Sequence, residues 1–208
     1  MRAARARQRV RATRINAPRG FVTIVSGVPR SGTSLVMQML RAGGMPVLED
    51  ATRVPDADNP AGYLEYAPVL RTATDASWVA HAPGHAVKVI YALLRQLPPG
   101  FEYRVLWMRR DPGEVIASQQ AMLVRRGVAA DAAISRERLT AVFAAQLAET
   151  EAWMAQQPGF RNLVLDYREV VAHPPAAAAA IDDFLGGRLD RGAMASAVDP
   201  LLYRQRAQ

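Results

Sequence analysis

The sequence predicts an α/β fold in three layers, with a mainly parallel central sheet flanked by helices. Three observations predict it. Short apolar runs that read as strands alternate with stretches of helical periodicity. The first run, residues 21–26 (FVTIVS), is continuous, as expected of a strand buried on both faces. The chain has 208 residues and a mass of 22.7 kDa, enough for one domain with a sizeable core and short for two.

The elements follow in order. Residues 1–20 hold seven arginines and no acid. They lack the apolar region of a secretory signal and the serines of an organellar transit peptide, so they are expected to form a disordered basic arm. Residues 21–208 are expected to form a single domain. After the strand at 21–26, residues 31–41 read as a helix with Leu35, Met39 and Leu40 on one side, stopped by Gly43-Gly44. Residues 45–83 carry Pro46, Pro55, Pro60, Pro68 and Pro83 without long periodicity, which predicts loops and short helices. Residues 86–91 (AVKVIY) and 103–108 (YRVLWM) are the second and third strands. Asp111 suits a helix N-cap, Pro112 the first helical position, and Glu114 the acidic place of a capping box. That helix runs to about residue 126 and stops at Gly127. Residues 134–157 read as a long helix, with Leu139, Val142, Phe143, Leu147, Trp153 and Met154 expected in the core. Residues 162–167 (NLVLDY) are the fourth strand, and residues 174–185 an alanine-rich helix ended by Gly186-Gly187.

Composition excludes several function classes. Cysteine is absent, so disulfides, thiolate metal sites and a thiol nucleophile are ruled out. With three histidines, His81, His85 and His173, no metal site is expected. No apolar run approaches the ~18 residues that span a bilayer, so no membrane span is expected and the location is read as cytoplasmic. The net charge of +7 looks like a nucleic-acid signal until it is located. Outside the arm, 19 basic residues balance 19 acidic ones. Nucleic acid is therefore expected only through the arm, in salt-sensitive binding lost on removing residues 1–20.

The segment Gly27-Val28-Pro29-Arg30-Ser31-Gly32-Thr33-Ser34 leaves the first strand and opens the first helix. Its glycines have the Walker A spacing, G-x-x-x-x-G-K-[ST]. Such a loop turns backbone N–H groups inward, and the helix N-terminus adds about half a positive charge, so the site suits a phosphate. The predicted fold is therefore of the P-loop type. Thr33 stands where Walker A has its lysine, which serves the β- and γ-phosphates of a nucleoside triphosphate. That argues against ATP or GTP as donor. Arg30 supplies a cation earlier in the loop.

This loop resembles the 5′-phosphosulfate loop of sulfotransferases that use 3′-phosphoadenosine 5′-phosphosulfate (PAPS). The resemblance implies that Pro29, Arg30, Ser31, Gly32, Thr33 and Ser34 bind the donor, with Arg30 facing its sulfuryl group. A second signature agrees. Arg110-Asp111-Pro112-Gly113-Glu114-Val115-Ile116-Ala117-Ser118 resembles the family's 3′-phosphate motif, an arginine followed eight residues later by a serine. An arginine fork at a strand end and a hydroxyl on the next helix can converge on one anion. Arg109 is the neighbouring candidate, but strand alternation sends it to the other side. Lys88, the only lysine, lies inside an apolar strand, where it must be paired or at a site. Sulfotransferases of the cytosolic type carry Lys-Thr-His at the corresponding place; here Lys88-Val89-Ile90 keeps the lysine and lacks the histidine that serves as base. Residues 162–187 are similar to the family's C-terminal strand and Pro-to-Phe-Leu-Gly helix.

An acceptor hydroxyl needs a base. Glu65, in Asn59-Pro60-Ala61-Gly62-Tyr63-Leu64-Glu65, resembles the Gly-Tyr-Phe-Glu segment of small bacterial sulfotransferase-like proteins and is preferred. Glu49 and Asp50, followed by Thr52-Arg53, are similarly placed to the catalytic glutamate of tyrosylprotein sulfotransferases. His81 and His85 flank the strand of Lys88. The expected function is transfer of a sulfuryl group from PAPS to a hydroxyl or amine of a small-molecule or peptide acceptor, with PAP released and no metal required. The alternatives are a P-loop kinase of a nucleotide or metabolite, and a non-catalytic PAP- or nucleotide-binding module.

Overall fold

Among the described residues four strands, β1 (Phe21–Gly27), β2 (Ala86–Lys88), β3 (Glu102–Arg109) and β4 (Phe160–Asp166), form one sheet in the order β2-β1-β3-β4. Every pairing is parallel, so all four C-terminal ends lie on one edge. The register pairs Val25 with Lys88, Gly27 with Met108 and Arg109 with Asp166. The structure is a computed structural model and describes residues 20–50, 56, 59, 62–125 and 135–199. The basic arm, the Thr52-Arg53 pair and the stop of the second helix at Gly127 lie outside these residues.

The sheet is parallel because each connection between neighbouring strands crosses over through helical chain. Among the described residues, helix α1 (Thr33–Ala42) lies between β1 and β2, helices α2 (Pro112–Arg125) and α3 (Arg136–Ala155) lie between β3 and β4, and α4 (Tyr167–Ala172), α5 (Pro174–Leu185) and α6 (Arg191–Ser196) follow the last strand. Among the described residues three 3-10 turns, Ala67–Arg71, Ser77–His81 and Tyr91–Gln96, lie between α1 and β3.

Strand alternation divides the buried residues into two cores. On one face Val25, Leu106, Met108 and Leu165 pack against Val36, Met37 and Leu40 of α1 and Ile181 and Leu185 of α5. On the other face Val22, Ile24, Val87, Val105 and Trp107 meet Trp78, Val79, Leu94 and Met154. All seven residues of β1 are buried, as expected of a strand covered on both faces, and Thr23 and Ser26 are the polar side chains among them.

Helix ends follow local chemistry. Asp111 Oδ1 accepts from the Glu114 N–H at 3.0 Å, and Pro112 is the first residue of α2. Helix α5 spans the predicted residues and ends at Gly186, whose φ of 102° suits a residue without a Cβ.

Three expectations need correction. The second strand spans three residues, not six, because Tyr91 already opens a 3-10 turn. Helix α3 is less buried than its periodicity implies: Met154 is buried and Leu147 and Trp153 pack partly, whereas Val142 is 44% exposed. Only the C-terminal end of α3 reaches the sheet. Tyr167, read as a strand end, begins α4, because Asp166 accepts from the Arg168 and Glu169 N–H groups and caps a new helix. Helix α6 was not anticipated.

Candidate functional site

The loop between β1 and α1 sits on the C-terminal edge of the sheet, the edge where parallel α/β sheets bind ligands. Arg30 adopts φ 74° and Gly32 φ 104°, two left-handed residues in one tight turn. An arginine there is strained, and such strain collects at functional sites. The glycines are enforced by packing. A Cβ on Gly27 would lie 2.8 Å from the Met108 carbonyl, and one on Gly32 would lie 2.4 Å from Cδ2 of Tyr167.

A cleft of about 490 Å³ opens above this loop, within the range of small-molecule sites. It is lined by Pro29, Arg30, Gly32, Thr33 and Ser34, by Lys88 at the end of β2, by Arg110 beyond β3, and by Ser118 on α2. The structure thus brings together the residues that the sequence grouped by motif. Ser31 is the exception: its side chain is fully buried beneath the loop, and among the described residues its Oγ has no hydrogen-bond partner. Its N–H closes the turn on the Val28 carbonyl at 3.1 Å.

The cationic groups are linked. Arg30 Nε donates to Ser118 Oγ at 3.0 Å, and Arg110 Nη1 donates to the Arg30 carbonyl at 3.1 Å. Arg110 Nε donates to Glu114 Oε2 at 2.9 Å, and its guanidinium lies 4.4 Å from the centroid of the Tyr167 ring. Arg109, one residue earlier, points to the opposite face, where its guanidinium pairs with Glu151 of α3. Burial opposes ionisation of Glu151, but hydrogen bonds from Arg109 and Trp107 hold its carboxyl below the ordinary value.

Lys88 Nζ donates to Ser34 Oγ at 2.9 Å and to the Tyr63 carbonyl. It therefore ties the first turn of α1 to the segment that carries Glu65. Leu64 in that segment has φ 51°. Glu65 lines the cleft. The other acids are placed differently. Glu49 pairs with Arg41 at 3.1 Å, and Asp50 Oδ2 accepts from the Ala67 N–H at 2.5 Å, fixing the start of a 3-10 turn. Neither lines the cleft, nor do His81 and His85.

Sequence reasoning missed Gln38, Asn59 and Tyr63, which also line the cleft. Gln38 Nε2 donates to the Gly62 carbonyl at 3.3 Å, as does Asn59 Nδ2 at 2.7 Å. The signal for Gln38 was its spacing: four residues after Ser34 on α1, it shares that residue's face. Among the described residues no three histidine, aspartate or glutamate side chains cluster as metal ligands, and no helix is long and apolar enough to cross a membrane.

No family model matches the chain, and no curated protein matches it. Solved structures do. The sulfotransferase domain from the Synechococcus PCC 7002 olefin synthase aligns with a TM-score of 0.54 at 15% identity, over 92% of this chain and 90% of that one. The sulfotransferase domain from the curacin biosynthetic pathway aligns over 90% of each chain, with a TM-score of 0.49 at 14% identity. At such identity the olefin synthase likeness is one of fold: a parallel sheet flanked by helices, arranged as in a sulfotransferase domain.

Proposed function

We propose that this chain transfers a sulfuryl group from PAPS to a hydroxyl or amine of an acceptor, releasing PAP. One observation carries the reading: Arg30, Lys88, Arg110 and Ser118, drawn from four separate segments, line a single cleft over a glycine-shaped anion cradle. The sulfotransferase-like fold supports it.

The residues present fit the donor. Backbone N–H groups of the loop and the N-terminus of α1 suit its 5′-phosphosulfate. Arg110 and Ser118 suit the 3′-phosphate. PAPS, when bound, supplies an activated sulfuryl group. Arg30 would stabilise negative charge on the sulfuryl oxygens and, with the loop amides, on the 5′-phosphate oxygen that departs as the bond between sulfur and its bridging oxygen breaks. Glu65 takes the proton of the acceptor hydroxyl as the new oxygen–sulfur bond forms. Lys88 fixes the Glu65 segment against α1 through Tyr63 and Ser34 and adds positive charge to the same wall.

Titration calorimetry with PAP, adenosine 5′-phosphate and ATP tests the reading. The proposal expects PAP to bind tightest, because only PAP presents a 3′-phosphate. Tighter binding of ATP would favour a P-loop kinase and sink the donor assignment.

A further inference from the structure

Glu114 lies inside the Arg110–Ser118 motif but was given no part in binding there, and it is among the most deeply buried charges described. Its side chain is 2% exposed, and the Arg110 side chain it pairs with is 8% exposed. A carboxylate is buried so deeply only when it is paired and hydrogen-bonded. Glu114 Oε2 accepts from Arg110 Nε at 2.9 Å, and Arg168 Nη2 approaches Oε1 to 3.6 Å. The Tyr167 ring covers the guanidinium of Arg110 at 4.4 Å. A guanidinium held through Nε on one edge and stacked on one face has its plane fixed. Its Nη end then points at the loop, where Nη1 meets the Arg30 carbonyl at 3.1 Å.

We propose that Glu114 is a positioning residue for anion recognition: it fixes the Arg110 guanidinium through Nε so that the Nη end serves the cleft. The proposal rests on the reading of Arg110 as a 3′-phosphate contact. It goes beyond that reading by assigning the selectivity for a 3′-phosphate to a buried acid that itself repels phosphate.

That repulsion gives the test a sign. If Glu114 acts only as a nearby negative charge, removing it tightens binding of every anion. If it serves only packing, removing it weakens PAP and adenosine 5′-phosphate alike. If it positions Arg110, PAP alone suffers. Calorimetry on Glu114→Gln, Glu114→Ala, Arg110→Ala and the Arg110→Ala/Glu114→Ala double variant separates the three. The expected result for the Glu114 variants is PAP binding weaker by about 10-fold or more, against a change of under about 3-fold for adenosine 5′-phosphate, a loss in the range of one charge-assisted contact. The double variant should bind PAP no worse than Arg110→Ala alone, because the two residues act as one unit. Tighter or unchanged PAP binding by a folded variant overturns the proposal, as do equal losses for both ligands. If Glu114→Ala and Glu114→Gln do not fold, Glu114→Asp keeps the charge and withdraws its reach by one methylene, with the same expectation and the same overturning results. Failure of the underlying reading would look different: the unmodified protein would then show no preference for PAP over adenosine 5′-phosphate.

Discussion

Replacing Gly32 with alanine perturbs the fold and the cleft at one point. Two costs add. The residue sits at φ 104°, ψ 12° as the N-cap of α1, and a left-handed backbone costs a residue with a Cβ roughly 1–2 kcal/mol. The new Cβ would lie 2.4 Å from Cδ2 and 2.8 Å from Cε2 of Tyr167. Tyr167 is itself buried, and the Arg110 guanidinium lies against it, so its ring has little room to retreat. Overpacking of this kind costs about 1–3 kcal/mol. The sum is a loss of about 2–5 kcal/mol. Gly44 is the internal control: its φ is 86°, but a Cβ there meets nothing within 4 Å. Gly44→Ala should therefore lose only the backbone part, about 1–2 kcal/mol. The effect of alanine on the unfolded chain is common to both and drops out of the comparison. Urea unfolding followed by tryptophan fluorescence measures both variants. PAP titration of Gly32→Ala should also show weakened binding, because the displaced ring carries Arg110. Equal losses at the two glycines would refute the close approach of Tyr167 to the loop.

Two further predictions concern the arginines of the cleft and one a buried acid of α5. Arg110→Ala should weaken PAP by roughly 10- to 150-fold, the worth of a charge-assisted contact, and adenosine 5′-phosphate far less; equal losses would move Arg110 away from the 3′-phosphate. Arg30→Ala should lower kcat by about 10²–10³ while PAP affinity, which involves no sulfuryl group, falls much less; collapsed PAP binding with an unchanged single-turnover rate at saturating donor would make Arg30 only an anchor. Asp182 is buried, and although burial opposes its ionisation, the Leu189 N–H and the Arg191 guanidinium hold its carboxyl below the ordinary value. Its contribution is therefore present above the unfolded pKa of about 3.9 and lost as pH falls through the lower folded value. Asp182→Asn should cost about 1–3 kcal/mol at pH 7, with the gap to the unmodified chain closing below about pH 4; a gap constant from pH 7 to pH 2 would remove Asp182 from the acid response.

The sequence was most legible where local chemistry and burial agree. Strand β1 is buried at every position because it is central, and Gly27 at its end and Gly32 mark a turn with no room for side chains. The cap at Asp111 and the stop at Gly186 came from residues whose side chains, or lack of them, act within one turn. The alternation that separates Arg109 from Arg110 is a property of the strand alone. What escaped was set by tertiary placement. Periodicity in α3 gave the helix but not its burial, because an apolar stripe does not record how far the helix extends past the sheet. Lys88 was read as paired or at a site; its partners Ser34 and the Tyr63 carbonyl lie 54 and 25 residues away. Glu114 looked like a capping acid because its spacing from Asp111 fits one; its pairing with Arg110 is local, four residues away, whereas only the fold brings Arg168 to its other oxygen.

The most direct test of the central claim follows the sulfuryl group itself. PAPS labelled with radioactive sulfur is incubated with the protein and a panel of alcohols, phenols, amines and tyrosine peptides, and label in the acceptor is counted beside the PAP released. The account predicts label in at least one acceptor with one PAP released per product, and a much slower transfer with Arg30→Ala. Absence of label transfer across the panel, in a protein that binds ATP more tightly than PAP and moves its phosphoryl group instead, would contradict it.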